Sequence, residues 1–339
     1  MNIYNFTQEK LEKFLIENNF KKYNASQIIN WIYKKKIFDF DDMSNLSKSL
    51  ISFCKDKFII EDLKLKAKET SKLANKYLLE LNDGNRIECV LMFHDYGNSL
   101  CISSQVGCNM GCAFCESGRL KKIRNLDTYE LVSQVLTIEH IENIRIDFVV
   151  IMGIGEPFDN YDNVMDFLSI ATNPFMIEIG ARHITVSTCG LVPKIKEFAD
   201  AKNQVNLAIS LHAPSNELRD KIMKINHAYK IEELTNAIDY YISKTNRRVT
   251  IEYIMLNCIN DTKECAYDLI KLFKNKLVYI NLIPYNETSH LQFKRSNTFK
   301  INKFYDILKS NNINVTIRKE MGSDLSAACG QLRANKEGE

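Results

Sequence analysis

From Ser99 onward, short apolar runs alternate with stretches of helical periodicity, and that rhythm leaves few folds open to the chain. The runs occupy residues 100–103, 148–152, 184–186, 205–211, 249–256, 279–283 and 315–317. Each has the length of a strand, and the segments between them have room for a helix. The clearest such segment carries Ile231, Leu234, Ile238 and Ile242 on one helical face. Repeated β-α units demand a parallel sheet covered by helices, and their number suits a curved, incomplete β/α barrel. Ligands of such folds gather at the carboxyl ends of the strands.

Small and polar groups sit where that rule wants them. Gly153-Ile154-Gly155-Glu156-Pro157 follows the run 148–152, Ser187-Thr188 ends the run 184–186, and Ser210-Leu211-His212 lies at the end of 205–211. Asn286 follows Pro284-Tyr285 after the run 279–283. Gly153-x-Gly155 is not a dinucleotide fingerprint, because the third glycine would fall at Phe158. Taken singly, each of these groups is as well explained by turn chemistry, or for His212 by a structural role.

Ahead of the barrel, residues 77–81 and 86–92 read as a hairpin joined by Asn82-Asp83-Gly84-Asn85, whose Asp-Gly is a strong turn signal. Residues before it read as a small helical module, with Ser26 as the N-cap of a helix through Ile28, Ile29, Trp31 and Ile32. The expected organisation is therefore an accessory helical domain over 1–75, a β-hairpin connector over 76–98 and a barrel domain over 99–339. Charge follows the same division. Residues 1–80 carry a net charge of +4, although the whole chain carries only +3. Lys21, Lys22, Lys34, Lys35 and Lys36 surround Tyr23, Trp31 and Tyr33, and Lys64, Lys66, Lys68 and Lys72 follow along an expected strand. This is the pattern of a phosphate-contacting surface with aromatic stacking partners, and equally that of a solvated helix face with Trp31 docked in the core.

The run Gly107-Cys108-Asn109-Met110-Gly111-Cys112-Ala113-Phe114-Cys115 places three thiols in a Cys-x3-Cys-x2-Cys loop. Four cysteines close an iron–sulfur cubane; three leave one iron able to bind a small chelating molecule, for which the amino and carboxylate groups of S-adenosylmethionine (SAM) are suited. A zinc site would need a fourth ligand and is usually built from two separated Cys-x2-Cys pairs, absent here. Ten cysteines without a secretory signal read as thiols of a reducing, cytoplasmic compartment rather than as disulfides. The N-terminus carries Glu9, Lys10, Glu12, Lys13 and Glu17 in an amphipathic pattern unlike a leader, and no stretch approaches the length of a membrane span.

These motifs carry a resemblance that covers nearly the whole chain. Cys101-Ile102-Ser103-Ser104-Gln105-Val106-Gly107-Cys108, Met152-Gly153-Ile154-Gly155-Glu156-Pro157, Val186-Ser187-Thr188, Ile209-Ser210-Leu211-His212-Ala213 and Ala327-Ala328-Cys329-Gly330-Gln331-Leu332 resemble the RlmN/Cfr family of radical SAM adenosine methyltransferases. The resemblance implies an incomplete (β/α)6 radical SAM barrel, with Cys108, Cys112 and Cys115 holding one 4Fe-4S cluster. It further implies that Gly155, Glu156, Ser187, Ser210, Leu211, His212 and Asn286 contact SAM, and that two SAM molecules are used per turnover. Pro157 and Val106 resemble the RlmN branch, which methylates C2 of an adenosine in 23S rRNA and in tRNA. The Cfr branch acts on C8 of the rRNA adenosine, confers antibiotic resistance, and tends to have Ala and Cys at those two positions.

The implied chemistry explains the remaining residues. C2 of adenine lies between two ring nitrogens and is too electron-poor to attack a methyl sulfonium, so the resemblance implies a radical route. Cys329 would first be S-methylated by one SAM; a radical from the second would activate that methyl group, and the resulting methylene radical would add to C2. Glu88 matches the family's proton acceptor at C2, and Cys101 matches the thiol that frees the product by a transient disulfide with Cys329. Alone, Glu88 would be an ordinary strand carboxylate and Cys101 a buried strand cysteine. Lys121, Lys122 and Arg124 would guide a phosphate backbone, or form a solvated charge run. The expected partners are 23S rRNA, tRNA and a low-potential electron donor such as flavodoxin or ferredoxin, with the enzyme a monomer. A radical SAM enzyme acting on something other than RNA, or a non-catalytic iron–sulfur protein, remains as the alternative class.

Overall fold

The structure, a computed structural model, describes residues 1–288 and 290–319. Cys329, expected to carry the methyl group, lies outside the described residues. Three helices open the chain: α1 (Gln8–Glu17), α2 (Tyr23–Ile29) and α3 (Lys48–Lys57). Thr7 and Ser47 cap the first and third by accepting from the backbone N–H groups of Lys10 and Leu50. The expected cap at Ser26 is corrected. The helix begins at Tyr23, where the Asn24 side chain accepts from Lys21 N–H, and Ser26 lies inside it.

Strands β1 (Lys64–Thr70), β2 (Ala74–Glu80), β3 (Arg86–His94) and β4 (Gly97–Cys101) then form an antiparallel meander. A short ribbon of β5 (Gln105–Val106) and β6 (Arg124–Asn125) brackets the cysteine loop. Beyond it the predicted alternation is realised as α4 (Thr128–Glu142), β7 (Phe148–Ile151), α5 (Tyr161–Thr172), β8 (Ile184–Thr188), α6 (Val192–Asp200) and β9 (Asn206–Ser210). It continues through α7 (Asn216–Ile222), α8 (Ile231–Thr245), β10 (Val249–Met255), α9 (Lys263–Phe273), β11 (Val278–Pro284), α10 (Thr298–Ser310) and β12 (Val315–Ile317).

All strands except the β5–β6 ribbon join one ten-stranded sheet in the order β1-β2-β3-β4-β7-β8-β9-β10-β11-β12. Pairing is parallel from β4 through β12, and among the described residues β12 does not pair back to β4, so the barrel stays open. The hairpin and β1 extend the barrel sheet past β4. Packing follows from the periodicities. Ile231, Leu234 and Ile238 of α8 are buried and Ile242 packs against the same core, as the helical spacing requires. One continuous apolar core runs from Ile3 in the helical module to Val315 in β12.

The basic face of the helical module is largely engaged within the chain. Lys34 pairs with Glu178 at 2.6 Å and Lys36 with Glu139 at 3.3 Å, both across to the barrel, while Lys68 reaches Glu142 at 2.7 Å. Trp31 and Tyr33 are buried, and Lys35 lies 3.3 Å from the Trp31 ring centroid, so of Tyr23, Trp31 and Tyr33 only Tyr23 stands exposed. The tryptophan is docked in the core. No helix among the described residues is long and apolar enough to cross a membrane.

Candidate active site

The carboxyl ends of β7 to β11 open on a cavity of about 390 Å³, and the sequence-predicted residues meet there. Cys108, Cys112 and Cys115 line it, as do Gly155, Glu156, Ser187, Ser210, His212 and Asn286; Glu88 and Cys101 reach it from the antiparallel side. Leu211 does not line it. Its side chain is fully buried and its N–H donates to the Glu252 carbonyl, so it supports the strand end from behind.

The cysteine loop is shaped by backbone contacts. Cys108 N–H donates to the Leu120 carbonyl, Ile123 N–H to Val106, and Ala113 N–H to Ile222 at the end of α7. Gly107 makes this possible: its φ is +80°, and a Cβ there would sit 2.1 Å from the Lys121 carbonyl oxygen. All three thiols are pushed upward by burial, Cys108 to about 12; the Cys115 charge adds to this at Cys108, and the Cys115 and Cys108 charges add at Cys112. For Cys115 burial is again the largest cause, opposed by hydrogen bonds from the Gly118 and Ser117 backbone.

Such a set is costly to ionise by itself and gains by binding cationic iron, which holds coordinated thiols deprotonated. Backbone N–H groups directed at the sulfurs, from Met110 to Cys108 as well, are the contacts that tune iron–sulfur clusters. The residues therefore fit the cluster.

Next to the thiols, Glu156 is fixed from both oxygens. Oε1 accepts from Phe158 N–H at 3.0 Å and Oε2 from Cys189 N–H at 2.7 Å, while burial pushes the carboxyl up. Gly155, at φ +113°, lets the segment pass over Ser104 and Gln105, where a Cβ would stand 2.7 Å from Gln105 Cβ. The Ser187 and Ser210 hydroxyls lie 3.5 Å apart on adjacent strand ends. His212 accepts from Ile254 N–H at Nδ1 and packs edge-on against Phe114. Burial, aided by Arg219, holds its ring down at about 3, so it is neutral with hydrogen on Nε2. A set of hydroxyls, a carboxylate and a neutral imidazole is able to hold an amino acid's ammonium and carboxylate.

On the other side, β3 and β4 present Glu88 and Cys101. Val90 pairs in register with Cys101, and Glu88, two residues away, shares its face. Glu88 is 2% exposed and pairs at 3.1 Å with Lys76, also 2% exposed. Burial pushes the Cys101 thiol up, against the opposing charges of Arg318 and Lys76.

Sequence reasoning missed several residues. Lys76 carried no signal, being one lysine among many. Arg219, fully buried on α7, donates to the carbonyls of Cys189, Ser210 and Leu211 and to Asn226 Oδ1, so it ties the ends of β8 and β9 together. Glu252 lines the cavity, accepts from Asn281 at 2.9 Å and has its carboxyl pushed up by burial, with Arg318 opposing. Two residues of the expected phosphate guide are occupied: Lys122 pairs with Asp159, and Arg124 with Glu130 and Asp83, all at 2.7 Å.

Comparison with known proteins agrees with this geometry. Residues 102–272 match the radical SAM superfamily, and residues 1–60 match the ribosomal RNA large subunit methyltransferase N-terminal domain. A probable dual-specificity RNA methyltransferase RlmN from Spiroplasma citri is 51% identical over 99% of this chain and 98% of its own length. A probable RlmN from Acholeplasma laidlawii is 52% identical over 98% of this chain and 99% of its own length. The crystal structure of a radical SAM methyltransferase from Sphaerobacter thermophilus superposes with a TM-score of 0.90 at 38% identity, covering 98% of both chains.

Proposed function

The chain belongs to the radical SAM superfamily and within it to the RlmN family of RNA methyltransferases, and from that premise we propose that it methylates C2 of an adenosine in 23S rRNA and in tRNA. One observation supports the reading most: the cluster cysteines, the groups suited to SAM, and Glu88 with Cys101 all open on a single cavity. Cys108, Cys112 and Cys115 would hold a 4Fe-4S cluster, which with SAM supplies carbon-radical chemistry. The other residues bind and move protons.

Glu156 and the Ser187, Ser210 and Asn286 side chains would take the methionine part of SAM, and His212 would donate from Nε2. Glu88 accepts the C2 proton, the C–H electron pair stays in the purine, and the unpaired electron left by radical addition passes to the one-electron carrier, so the aromatic ring is restored. The Cys101 thiolate then attacks the sulfur of Cys329. An S–S bond forms, the bond from that sulfur to the substrate carbon breaks, and its electron pair takes up a proton to complete the methyl group. One SAM methylates Cys329 and a second supplies the radical, so two are used per turnover.

C2 is favoured over the Cfr-type C8 position by the RlmN names of the similar proteins and by Pro157 and Val106. RNA must present the base unpaired or extruded to enter the cavity. The division into a helical accessory domain over 1–75, a connector over 76–98 and a catalytic domain over 99–339 belongs to the same proposal, as do a flavodoxin- or ferredoxin-type donor, a monomeric state and a cytoplasmic site of action. The test is mass spectrometry of nucleosides after anaerobic incubation of reconstituted enzyme with SAM, reductant and RNA from a methylase-deficient strain. The expected product is 2-methyladenosine in both RNA fractions. 8-Methyladenosine would transfer the chain to the Cfr reaction, and SAM cleavage without a methylated adenosine would overturn the RNA substrate.

A further inference from the structure

Lysine is almost never fully buried unless it is paired, because removing an ammonium from water costs several kcal/mol. Lys76 is nonetheless 2% exposed, on a strand inside the sheet, with its Nζ 3.1 Å from Glu88 Oε2. Register explains how it arrives there. Lys76 pairs with Val90 across β2 and β3, and Val90 pairs with Cys101 across β3 and β4. The three residues form one row on one face of the sheet, with Glu88 beside it on the same face. Burial raises the Cys101 thiol, and of the charges that oppose it Arg318 acts first and Lys76 after it. A buried ammonium therefore pairs with the carboxylate that the release of product requires and shares a row of the sheet with the thiol.

We propose that Lys76 is a positioning residue for release of the methylated base: it holds the Glu88 carboxylate in place as proton acceptor. The inference rests on the roles given above to Glu88 and Cys101. Lys76 itself transfers no proton. The proton passes from C2 to a Glu88 oxygen, and the C–H electron pair stays in the ring. Without Lys76 the Glu88 carboxylate loses the ion pair that fixes its orientation, and a misplaced oxygen accepts the proton slowly.

The consequence is a stalled covalent intermediate, which loss of a merely structural lysine would not produce. Lys76→Met and Lys76→Gln, reconstituted and given SAM, reductant and RNA, should accumulate the protein–RNA adduct on a denaturing gel. Normalised to cluster iron, the adduct should exceed the wild-type level at least tenfold. Lys76→Arg, which keeps the charge, should return it toward wild type. Glu88→Gln serves as the reference for a stalled proton transfer. Neutral variants that hold the cluster and turn over without adduct would overturn the inference, as would equal stalling in Lys76→Arg. Failure of both neutral variants to load the cluster would also overturn it, since it would assign Lys76 to the scaffold. Failure of the parent reading looks different: wild type would make no methylated adenosine, or Glu88→Gln would form no adduct.

Discussion

His212 offers a sharp test of the electrostatics around the SAM-binding strand ends. Its ring is buried, accepts from Ile254 N–H and is held at about 3 by burial and by Arg219, against about 6.5 for an unperturbed imidazole. Between those values the unfolded chain binds a proton that the folded chain does not. The stability this neutral ring contributes is therefore complete above about pH 6.5 and declines as pH falls toward 3. Each pH unit below about 6.5 removes about 1.4 kcal/mol, so the decline between pH 7.5 and pH 5 comes to about 2 kcal/mol. His212→Asn removes the titration while keeping an acceptor for Ile254 N–H, and asparagine tolerates the φ of +59° at this position. Urea unfolding of cluster-free wild type and variant, followed by far-UV circular dichroism at both pH values, measures the difference. The variant should lose about 2 kcal/mol less than wild type on acidification. Equal losses would refute the claim that a neutral, buried imidazole sits at this strand end.

Gly155→Ala places a Cβ 2.7 Å from Gln105 Cβ at a φ of +113°, a strain of about 1–3 kcal/mol before any clash. SAM affinity, read from the change in the cluster's EPR spectrum, should fall at least tenfold, and an unchanged titration would remove Gly155 from the binding segment. Replacing Lys34, Lys35 and Lys36 together by alanine should lower the slope of log affinity for RNA against log salt by only about 1, since each released phosphate contact contributes about 0.7–0.9 and Lys34 and Lys36 already pair with Glu178 and Glu139. A fall of about 2–3 would mean that RNA also takes Lys34 and Lys36 from their carboxylates.

How much of this was legible in the sequence depended on range. The β/α rhythm after Ser99 and the hairpin turn at Asn82–Asn85 are local signals, carried by side-chain period and by Asp-Gly, and both appear in the fold. The cysteine loop and the strand-end groups were legible for the same reason, and of the residues expected to hold the cluster or SAM the structure gathers all but Leu211 around one cavity. Ser26 misled because its residue type suits a cap, whereas Asn24, one turn before Gln27, anchors the helix start. Pairings between distant segments left no trace. Nothing local distinguishes Lys76 from Lys72, or Arg219 from Lys221, until register and helix packing bury one of each pair and leave the other outside the core.

The added antiparallel strands explain why such a reaction needs more than the barrel. A parallel β/α sheet collects its ligands at the carboxyl ends of its strands, which is where the cysteine loop, Glu156 and His212 stand. Cys101 stands at the same end, as the last residue of β4, which pairs in parallel with β7. Extending the sheet past β4 adds Glu88, because β3 pairs antiparallel with β4 and so brings Glu88 onto the face of Cys101. Both sit on hydrogen-bonded strands rather than on loops, which fixes their distance from the barrel mouth. The Ser103 hydroxyl strengthens that link: it donates to the Glu88 carbonyl at 2.6 Å and accepts from Ile154 N–H, joining the base's strand to the Gly-Glu-Pro segment. A shift of either segment is thereby passed to the other, so Glu88 and Glu156 keep one common frame.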